Sequence, residues 1–208
     1  MYGGAFDPVH LGHLRSAFEV RQTLKLDELR FVPSGNPPHR RSARASDKHR
    51  LNMLKLAVQD VPGIVVDPRE LYGTGKSYTI DTLESLAAEF PAAQLTLVIG
   101  MDQFSVFDTW HRWQELLQRF DLAVMERPGE PVSDVGRSIL SASSNPQAQT
   151  KQDRHHGGRI NIIAVTQLQI SSSRIRCDLA QQRDIQYLVP LAVRDYIYDH
   201  GLYAATGS

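Results

Sequence analysis

The sequence predicts an α/β protein with a doubly wound, mostly parallel sheet. Strand-like apolar runs alternate along the chain with stretches of helical spacing. Residues 95–99 form a continuous apolar run, which is typical of a strand covered on both faces. A Gly-Gly pair at positions 3 and 4 lies between a short apolar start and the first helical stretch. This alternation indicates βαβ units, whose ligand crevice lies at the carboxyl ends of the strands.

The first part of the chain predicts a strand that ends at the Gly-Gly pair and then two helix–strand pairs. Residues 11–26 place apolar side chains on one helical face, and residues 29–32 form a short strand before a proline-rich loop. A second helix follows Ser46 and ends near Asp60, since its apolar residues again recur at helical spacing. Residues 64–66 then predict the next strand.

The middle of the chain continues the same alternation. Residues 78–90 have the apolar spacing of a helix and lead into the buried strand at 95–99. Residues 110–120 again have helical spacing, and the run at 122–125 predicts another strand. The sheet is therefore expected to gain two neighbouring strands here.

The last part predicts one strand and two helices. The strand covers residues 160–165, and the helices cover 171–182 and 190–200, with Gly201 as a C-terminal cap. Residues 132–159 contain a segment rich in Ser, Gln, Asn and Ala, and we expect a variable surface loop region outside the core. The chain as a whole, residues 1–208, is expected to form a single domain.

Composition excludes several classes of protein. The 208 residues carry 23 Lys and Arg against 23 Asp and Glu, so no basic field is available to attract nucleic acid or a membrane surface. Cys177 is the one cysteine, which excludes an intramolecular disulfide, and its position in a predicted helix favours a structural role. No signal stretch or membrane-spanning run is visible. We expect a cytoplasmic protein, and the sequence leaves a homo-oligomer open.

The first strand is unusually short. Only Met1 and Tyr2 precede the Gly-Gly pair, whereas a strand usually has about five residues. The expectation from this shortness is that the native chain starts a few residues upstream.

Residues 3–13, with the sequence GGAFDPVHLGH, combine a glycine turn with two histidines at a helix start. His10 and His13 are spaced i and i+3, so their rings share one face. A helix N-terminus attracts anions, and glycines let the backbone approach a phosphate closely. The pattern predicts a phosphate site with two imidazole donors. The alternative is that both histidines are half-buried packing residues.

Residues 170–176, with the sequence ISSSRIR, predict a second phosphate site at another helix start. Serine there is also an ordinary helix cap. Arg174 and Arg176 would oppose the helix dipole, however, and a bound phosphate would remove that conflict.

Both stretches resemble motifs of the HxGH nucleotidyltransferase superfamily, and residues 3–13 are similar to the first motif of bacterial nicotinate-nucleotide adenylyltransferases. Residues 170–176 resemble the ISSTxIR motif, with Ser173 in place of threonine. The resemblance implies a Rossmann-like nucleotidyltransferase fold and catalytic roles for His10, His13 and Arg176. It implies ATP binding by Gly4, Ala5, Phe6, His10, His13, Gly100, Asp102, Ser172, Ser173 and Arg176.

Three further segments are similar to the acceptor pocket of the nicotinate-nucleotide branch. They are residues 37–40 (PPHR), residues 77–83 (SYTIDTL) and residues 100–102 (GMD). The resemblance implies that nicotinate mononucleotide is bound by Asn36, His39, Arg40, Thr79, Asp102, Trp110 and Arg127. Two alternatives stay open, because the PPHR segment could be a solvated basic loop and Trp110 could be a core residue, as Trp113 is expected to be.

The function implied is adenylyl transfer from ATP to nicotinate mononucleotide, which gives nicotinate adenine dinucleotide and pyrophosphate in NAD biosynthesis. Mg²⁺ is expected to arrive with ATP on phosphate oxygens. No metal site built by the protein is expected, and His155 and His156 are interpreted as a solvated loop. The alternatives are another HxGH transferase, with nicotinamide mononucleotide or phosphopantetheine as acceptor, and a nucleotide-binding regulator without turnover.

Overall fold

A computed structural model of the chain describes residues 1–35, 43–73, 75–126, 132–143 and 158–204. Its strands form a parallel six-stranded sheet in the order β3-β2-β1-β4-β5-β6, which confirms the predicted α/β class. The strands are β1 (Tyr2–Gly4), β2 (Leu29–Pro33), β3 (Ile64–Val66), β4 (Thr96–Gly100), β5 (Asp121–Glu126) and β6 (Ile160–Ala164). The helices are α1 (Leu11–Thr23), α2 (Asp47–Val58), α3 (Thr79–Glu89), α4 (Met101–Phe104), α5 (Trp113–Arg119), α6 (Asp134–Ser143), α7 (Ser172–Ala180) and α8 (Leu191–Asp199).

The chain divides into two compact units, the first formed by Met1–Tyr2 and Tyr78–Val165. Within this unit β4 pairs with β5 and β5 with β6, and the residues of β4 and β5 are mostly buried, as a strand covered on both faces requires. Tyr2 lies opposite Val98, and the backbone of Met1 extends this ladder, because Val98 donates to the Met1 carbonyl at 2.8 Å. The short β1 is thereby paired from its first residue.

A hydrophobic cluster forms the core of the first unit. Its side chains come from α3, β4, α4, α5, β5 and α6, and its largest members include Phe104, Phe107 and Phe120. Trp110 and Trp113 are both partly buried against this cluster. The tryptophans therefore have packing roles whatever else they contact.

The second unit consists of Gly3–Ser77 and Thr166–Ser208. Its strands β2 and β3 pair in parallel, and α2 packs against α8. Two of its helices begin at serine caps: Ser46 accepts from the backbone N–H of His49, and Ser171 accepts from that of Arg174. Gly201 has φ +56°, the left-handed conformation that ends the last helix as predicted.

Two predictions about elements were wrong. The helix expected from residue 110 begins at Trp113, because Arg112 is left-handed (φ +54°) and Phe107–Thr109 forms a separate 3₁₀ turn. Residues 132–159 are not simply a loop, since α6 lies within them and Ile139 belongs to the core. Ser133 caps α6 by accepting from Gly136 at 3.1 Å. Residues 144–157 lie outside the described residues.

Cys177 is exposed on α7, so the expected structural role in packing was wrong. The apolar side of α7 is instead supplied by Ile175 and Leu179, which are buried. In the parts of the chain that the structure describes, no helix has the length and apolar character needed to cross a membrane.

Candidate active site

His10 and His13 form a reciprocal pair at the start of α1. His10 is the N-cap residue, and its Nδ1 accepts from the backbone N–H of His13 at 3.4 Å. The Nδ1 of His13 accepts from the backbone N–H of His10 at 3.3 Å. The two rings stack with their centroids 3.6 Å apart. The histidines therefore satisfy part of the helix end and fix each other's orientation.

Both imidazoles are neutral near pH 7. Burial lowers the pKa of His10 to about 4, and burial together with the nearby His10 holds the pKa of His13 well below its usual range. Since each Nδ1 accepts a hydrogen bond, the ring proton of each neutral histidine lies on Nε2. The arrangement can thus offer two N–H donors to an anion.

Two backbone amide groups in the first turn of α1 already donate hydrogen bonds within the protein. The N–H of Leu11 donates to the carbonyl of Leu188 at 2.9 Å, and the N–H of His13 is bound to His10. These two amides are therefore already bonded within the protein, and the imidazoles and the helix dipole contribute to the anion-binding capacity predicted for this helix start.

Two glycines of the motif make room for rings. A Cβ on Gly12 would lie 3.0 Å from Nδ1 of His10 and 3.7 Å from the carbonyl oxygen of Ile170. A Cβ on Gly4 would lie 2.8 Å from the ring of Phe6, whose edge-to-face partner is His13 at a centroid distance of 5.1 Å. Glycine at these positions lets the imidazole pair and its aromatic support pack directly on the backbone.

The start of α7 lies beside the start of α1. Ser172 donates its hydroxyl to the carbonyl of Pro8 at 2.9 Å, and Ile170 approaches Gly12 as described above. The N-cap is Ser171, as the capping interpretation predicted. Two helix N-termini and two imidazoles are therefore brought together within one unit, which creates an environment favourable to a polyanion.

The two arginines of α7 have different environments. Arg176 donates to the backbone carbonyl of Asp7 at 2.6 Å and to the hydroxyl of Ser173 at 3.2 Å, and its side chain is 22% exposed. Arg174 is 66% exposed and pairs with Asp178 at 3.1 Å, four residues along the helix. Arg174 thus has a carboxylate partner on its own helix, whereas Arg176 faces the loop that leads to His10.

Side chains bind several carbonyls of the loop between β1 and α1. Besides Asp7 and Pro8, the carbonyl of Ala5 accepts from Arg50 at 2.8 Å. Arg50 is only 1% exposed and also donates to the carbonyl of Ser34 at 2.7 Å. Partial negative charge along the loop is therefore compensated, which favours an approaching phosphate.

Sequence reasoning missed Arg50, Asp7 and Tyr203. The carboxylate of Asp7 accepts from the hydroxyl of Tyr203 at 2.7 Å. Position within the GGAFDPVHLGH segment was a signal for Asp7. No local signal identified Arg50 or Tyr203, because each meets the loop from a distant part of the chain.

In the other unit, Gly100 and Asp102 lie together at the end of β4. A Cβ on Gly100 would lie 2.5 Å from Oδ1 of Asp102, so the carboxylate lies directly over the glycine. Asp102 is exposed and belongs to α4. Thr79 is the first residue of α3, directly after the helix start predicted at residue 78, and the ring of Trp110 lies 5.2 Å from that of Phe107.

Four predicted acceptor residues lie outside the described residues: Asn36, His39, Arg40 and Arg127. His155 and His156 lie outside them as well. Among the residues that are described, no group of three or more His, Cys, Asp and Glu side chains could hold a metal ion.

Comparisons with known proteins point to one family. The chain matches the Cytidylyltransferase-like family over residues 1–178. It is 47% identical to the "Probable nicotinate-nucleotide adenylyltransferase" of Pseudomonas fluorescens, over 99% of this chain and 96% of that protein. It is 45% identical to the protein of the same name from Pseudomonas syringae pv. tomato, over 99% of this chain and 93% of that protein.

Solved structures agree on the fold. The Plasmodium falciparum nicotinic acid mononucleotide adenylyltransferase complexed with NaAD matches with a TM-score of 0.74 at 21% identity. The match covers 97% of this chain and 95% of that one. This likeness confirms the Rossmann-like nucleotidyltransferase fold. Because identity to the bacterial relatives is far higher and extends over nearly the full length, the chain belongs to the nicotinate-nucleotide adenylyltransferases within the Cytidylyltransferase-like family.

Proposed function

We propose that this enzyme transfers the adenylyl group of ATP to nicotinate mononucleotide, giving nicotinate adenine dinucleotide and pyrophosphate. The observation that carries the proposal is the pair of neutral imidazoles at the start of α1, beside the start of α7, in a chain of this family. Such a site offers donors to phosphate oxygens. It requires no general base, because a phosphate monoester with a second pKa of ~6 is already a nucleophile at neutral pH.

In the proposed step, an oxygen of the mononucleotide phosphate forms a bond to the α-phosphorus of ATP. The bond from the α-phosphorus to the bridging oxygen breaks, and pyrophosphate leaves with that electron pair. Charge develops on the oxygens around the α-phosphorus and on the leaving group. Preorganised donors aimed at these oxygens lower the barrier, and alignment of the two phosphates supplies the rest.

We assign the phosphates of ATP to the unit that contains α1 and α7. His10 and His13 donate from Nε2, and Arg176 supplies the positive charge that the leaving pyrophosphate needs. Ser172 and Ser173 add hydroxyls at the start of α7. The backbone of Gly4, Ala5 and Phe6 lies along the same loop and belongs to this proposed ATP site.

The remaining assignments concern ribose and the acceptor. Gly100 and Asp102 are assigned to ATP, with Asp102 also contacting the mononucleotide. We propose that Thr79 and Trp110 contact the pyridine ring and its carboxylate, since a partly buried indole can offer one face for stacking. Asn36, His39, Arg40 and Arg127 complete the proposed acceptor set through their cationic and amide groups.

The side chains of the candidate site fit a divalent cation that enters with the nucleotide. The described residues contain no cluster of three acidic, His or Cys side chains, whereas the triphosphate itself supplies hard oxygen ligands. We propose Mg²⁺ as that ion; phosphate oxygens and water would hold it, and it would supply positive charge to the leaving group. The protein residues then orient the phosphates.

The same proposal assigns residues 1–208 to one catalytic domain that acts in the cytoplasm. It is supported by the family match over residues 1–178.

An acceptor comparison tests the proposal. The chain is incubated with Mg-ATP and, separately, nicotinate mononucleotide, nicotinamide mononucleotide or phosphopantetheine, and pyrophosphate release is measured. We expect rapid release with nicotinate mononucleotide and much slower release with the other two. Comparable rates with nicotinamide mononucleotide would contradict acid specificity, and no release with any acceptor would favour a nucleotide-binding regulator.

A further inference from the structure

The carboxylate of Asp7 is a buried junction next to the imidazole pair. Asp7 is 3% exposed, and its Oδ2 accepts from the backbone N–H of Arg44 at 2.7 Å. Its Oδ1 accepts from the backbone N–H of Ala45 at 3.1 Å and from the phenol of Tyr203 at 2.7 Å. Three neutral donors therefore satisfy the charged group.

Arg176 makes a long ion pair with this carboxylate. Its Nη1 donates to the backbone carbonyl of Asp7 at 2.6 Å but is 3.8 Å from Oδ2. Hydrogen bonds from neutral donors stabilise a carboxylate without consuming a nearby cation. The guanidinium thereby remains near the start of α7, where the triphosphate is proposed to bind.

Tyr203 adopts a strained conformation at this junction. Its φ is +65°, a left-handed value that non-glycine residues rarely adopt. Burial and the hydrogen bond to Asp7 raise the pKa of its phenol, so the hydroxyl stays protonated and donates. The residue that adopts this backbone conformation therefore also donates the phenol hydrogen bond to Asp7.

We propose that Tyr203 is a positioning residue for adenylyl transfer, acting through Asp7 to keep Arg176 available to the phosphates of ATP. This inference rests on the proposed function. Without the phenol, the N–H of Ala45 is the donor that Oδ1 keeps among the described residues. The less satisfied carboxylate then draws the guanidinium of Arg176 into a closer ion pair and away from the nucleotide.

Tyr203→Phe tests the idea, since it removes one hydroxyl and keeps the ring. We expect kcat/KM for ATP to fall about tenfold, as for the loss of one charge-linked hydrogen bond, with KM for nicotinate mononucleotide unchanged. Tyr196→Phe is the matched control. The Tyr196 phenol contacts His49 and Asn52 at 2.9 Å each, outside the Asp7 network, and its loss should leave kcat/KM for ATP within twofold.

A double-mutant cycle separates positioning from a purely structural role. The affinity for α,β-methylene-ATP is measured by calorimetry for the wild type, Tyr203→Phe, Arg176→Ala and the double variant, at a temperature where circular dichroism shows all four folded. We expect Tyr203→Phe to weaken binding in the wild-type background and to change it less than twofold once Arg176 is absent. Equal losses in both backgrounds, or no loss in the wild type, would overturn the inference.

Failure of the proposed function and failure of the Tyr203 inference are detected by different measurements. A wild-type chain that releases no pyrophosphate with any mononucleotide contradicts adenylyl transfer. The calorimetric cycle does not depend on turnover, so it still decides whether Tyr203 acts through Arg176 on nucleotide binding.

Discussion

The Nδ1 atoms of His10 and His13 each accept a hydrogen bond from the other residue's backbone N–H, at 3.4 and 3.3 Å respectively. This exchange fixes the tautomer of both rings, because a neutral imidazole that accepts at Nδ1 carries its proton on Nε2. Burial keeps the rings neutral. The same two side chains thus cap the helix and, in the proposed function, bind phosphate.

Removal of the second imidazole should affect turnover far more than stability. We expect His13→Ala to lower kcat about a hundredfold or more, the usual cost of losing a preorganised donor to a transition state. Loss of its capping contact should cost the fold only about 1 kcal/mol. Steady-state rates and thermal melts check both, with His200→Ala as a control at an exposed histidine. Wild-type turnover in His13→Ala would contradict the role given to this motif.

The free energy of unfolding should fall as the pH is lowered below the ordinary pKa of histidine. The pKa of His10 is about 4 in the fold against 6.5 in the unfolded chain, so the unfolded state binds the proton first. The contribution of His10 to the free energy of unfolding is fully present above pH 6.5. It is lost as the pH falls toward 4, by up to about 3 kcal/mol.

His10→Asn isolates that contribution, since asparagine keeps the N-cap acceptor and does not titrate. Urea unfolding at pH 7.5, 6.0 and 5.0 should show a shallower loss of stability in the variant than in the wild type. His13 still contributes in both proteins, so some pH dependence remains. Parallel profiles for the two proteins would show that His10 is not neutralised by burial.

The two arginines of α7 should respond differently to truncation. Arg176→Ala is expected to lower kcat/KM for ATP by about a hundredfold, because it removes a cation proposed to contact the leaving group. Arg174→Ala removes the same charge from the same helix but breaks only the pair with Asp178, so a change below threefold is expected. Steady-state kinetics with varied ATP measures both. Similar losses from the two variants would mean that net charge alone matters.

The two tryptophans offer a similar contrast for the acceptor. Trp110→Ala should raise KM for nicotinate mononucleotide about tenfold or more through the loss of stacking. Both Trp110 and Trp113 pack partly against the same core, so both truncations should lower the melting temperature. Only Trp110→Ala should change KM for the mononucleotide. A matching KM increase in Trp113→Ala would assign the effect to general loosening of the core.

Local patterns predicted the elements and the two helix starts well. The start of α1 follows from glycines and histidines at fixed spacing, and Ser171 caps α7 as serine often does. α6 escaped prediction because its serine-rich composition resembled a loop. A signal was nonetheless present, since Ser133 is followed by apolar residues at Val135, Ile139 and Leu140.

Contacts between distant parts of the chain could not be predicted in the same way. The phenol of Tyr203 reaches Asp7 across a separation of 196 residues, and Arg50 reaches Ala5 across 45. Neither pair has a local spacing or a shared helix face that would reveal it. The side chains that hold the loop between β1 and α1 are therefore identified only from the folded structure.

The central claim is that an oxygen of the acceptor phosphate forms the new bond to the α-phosphorus of ATP, and an isotope experiment tests it most directly. Nicotinate mononucleotide labelled with ¹⁸O in its phosphate is incubated with unlabelled Mg-ATP and the chain, and both products are analysed by mass spectrometry. We predict that all of the label stays in nicotinate adenine dinucleotide and that the pyrophosphate is unlabelled. Label in the pyrophosphate, or pyrophosphate without the dinucleotide, would contradict the account.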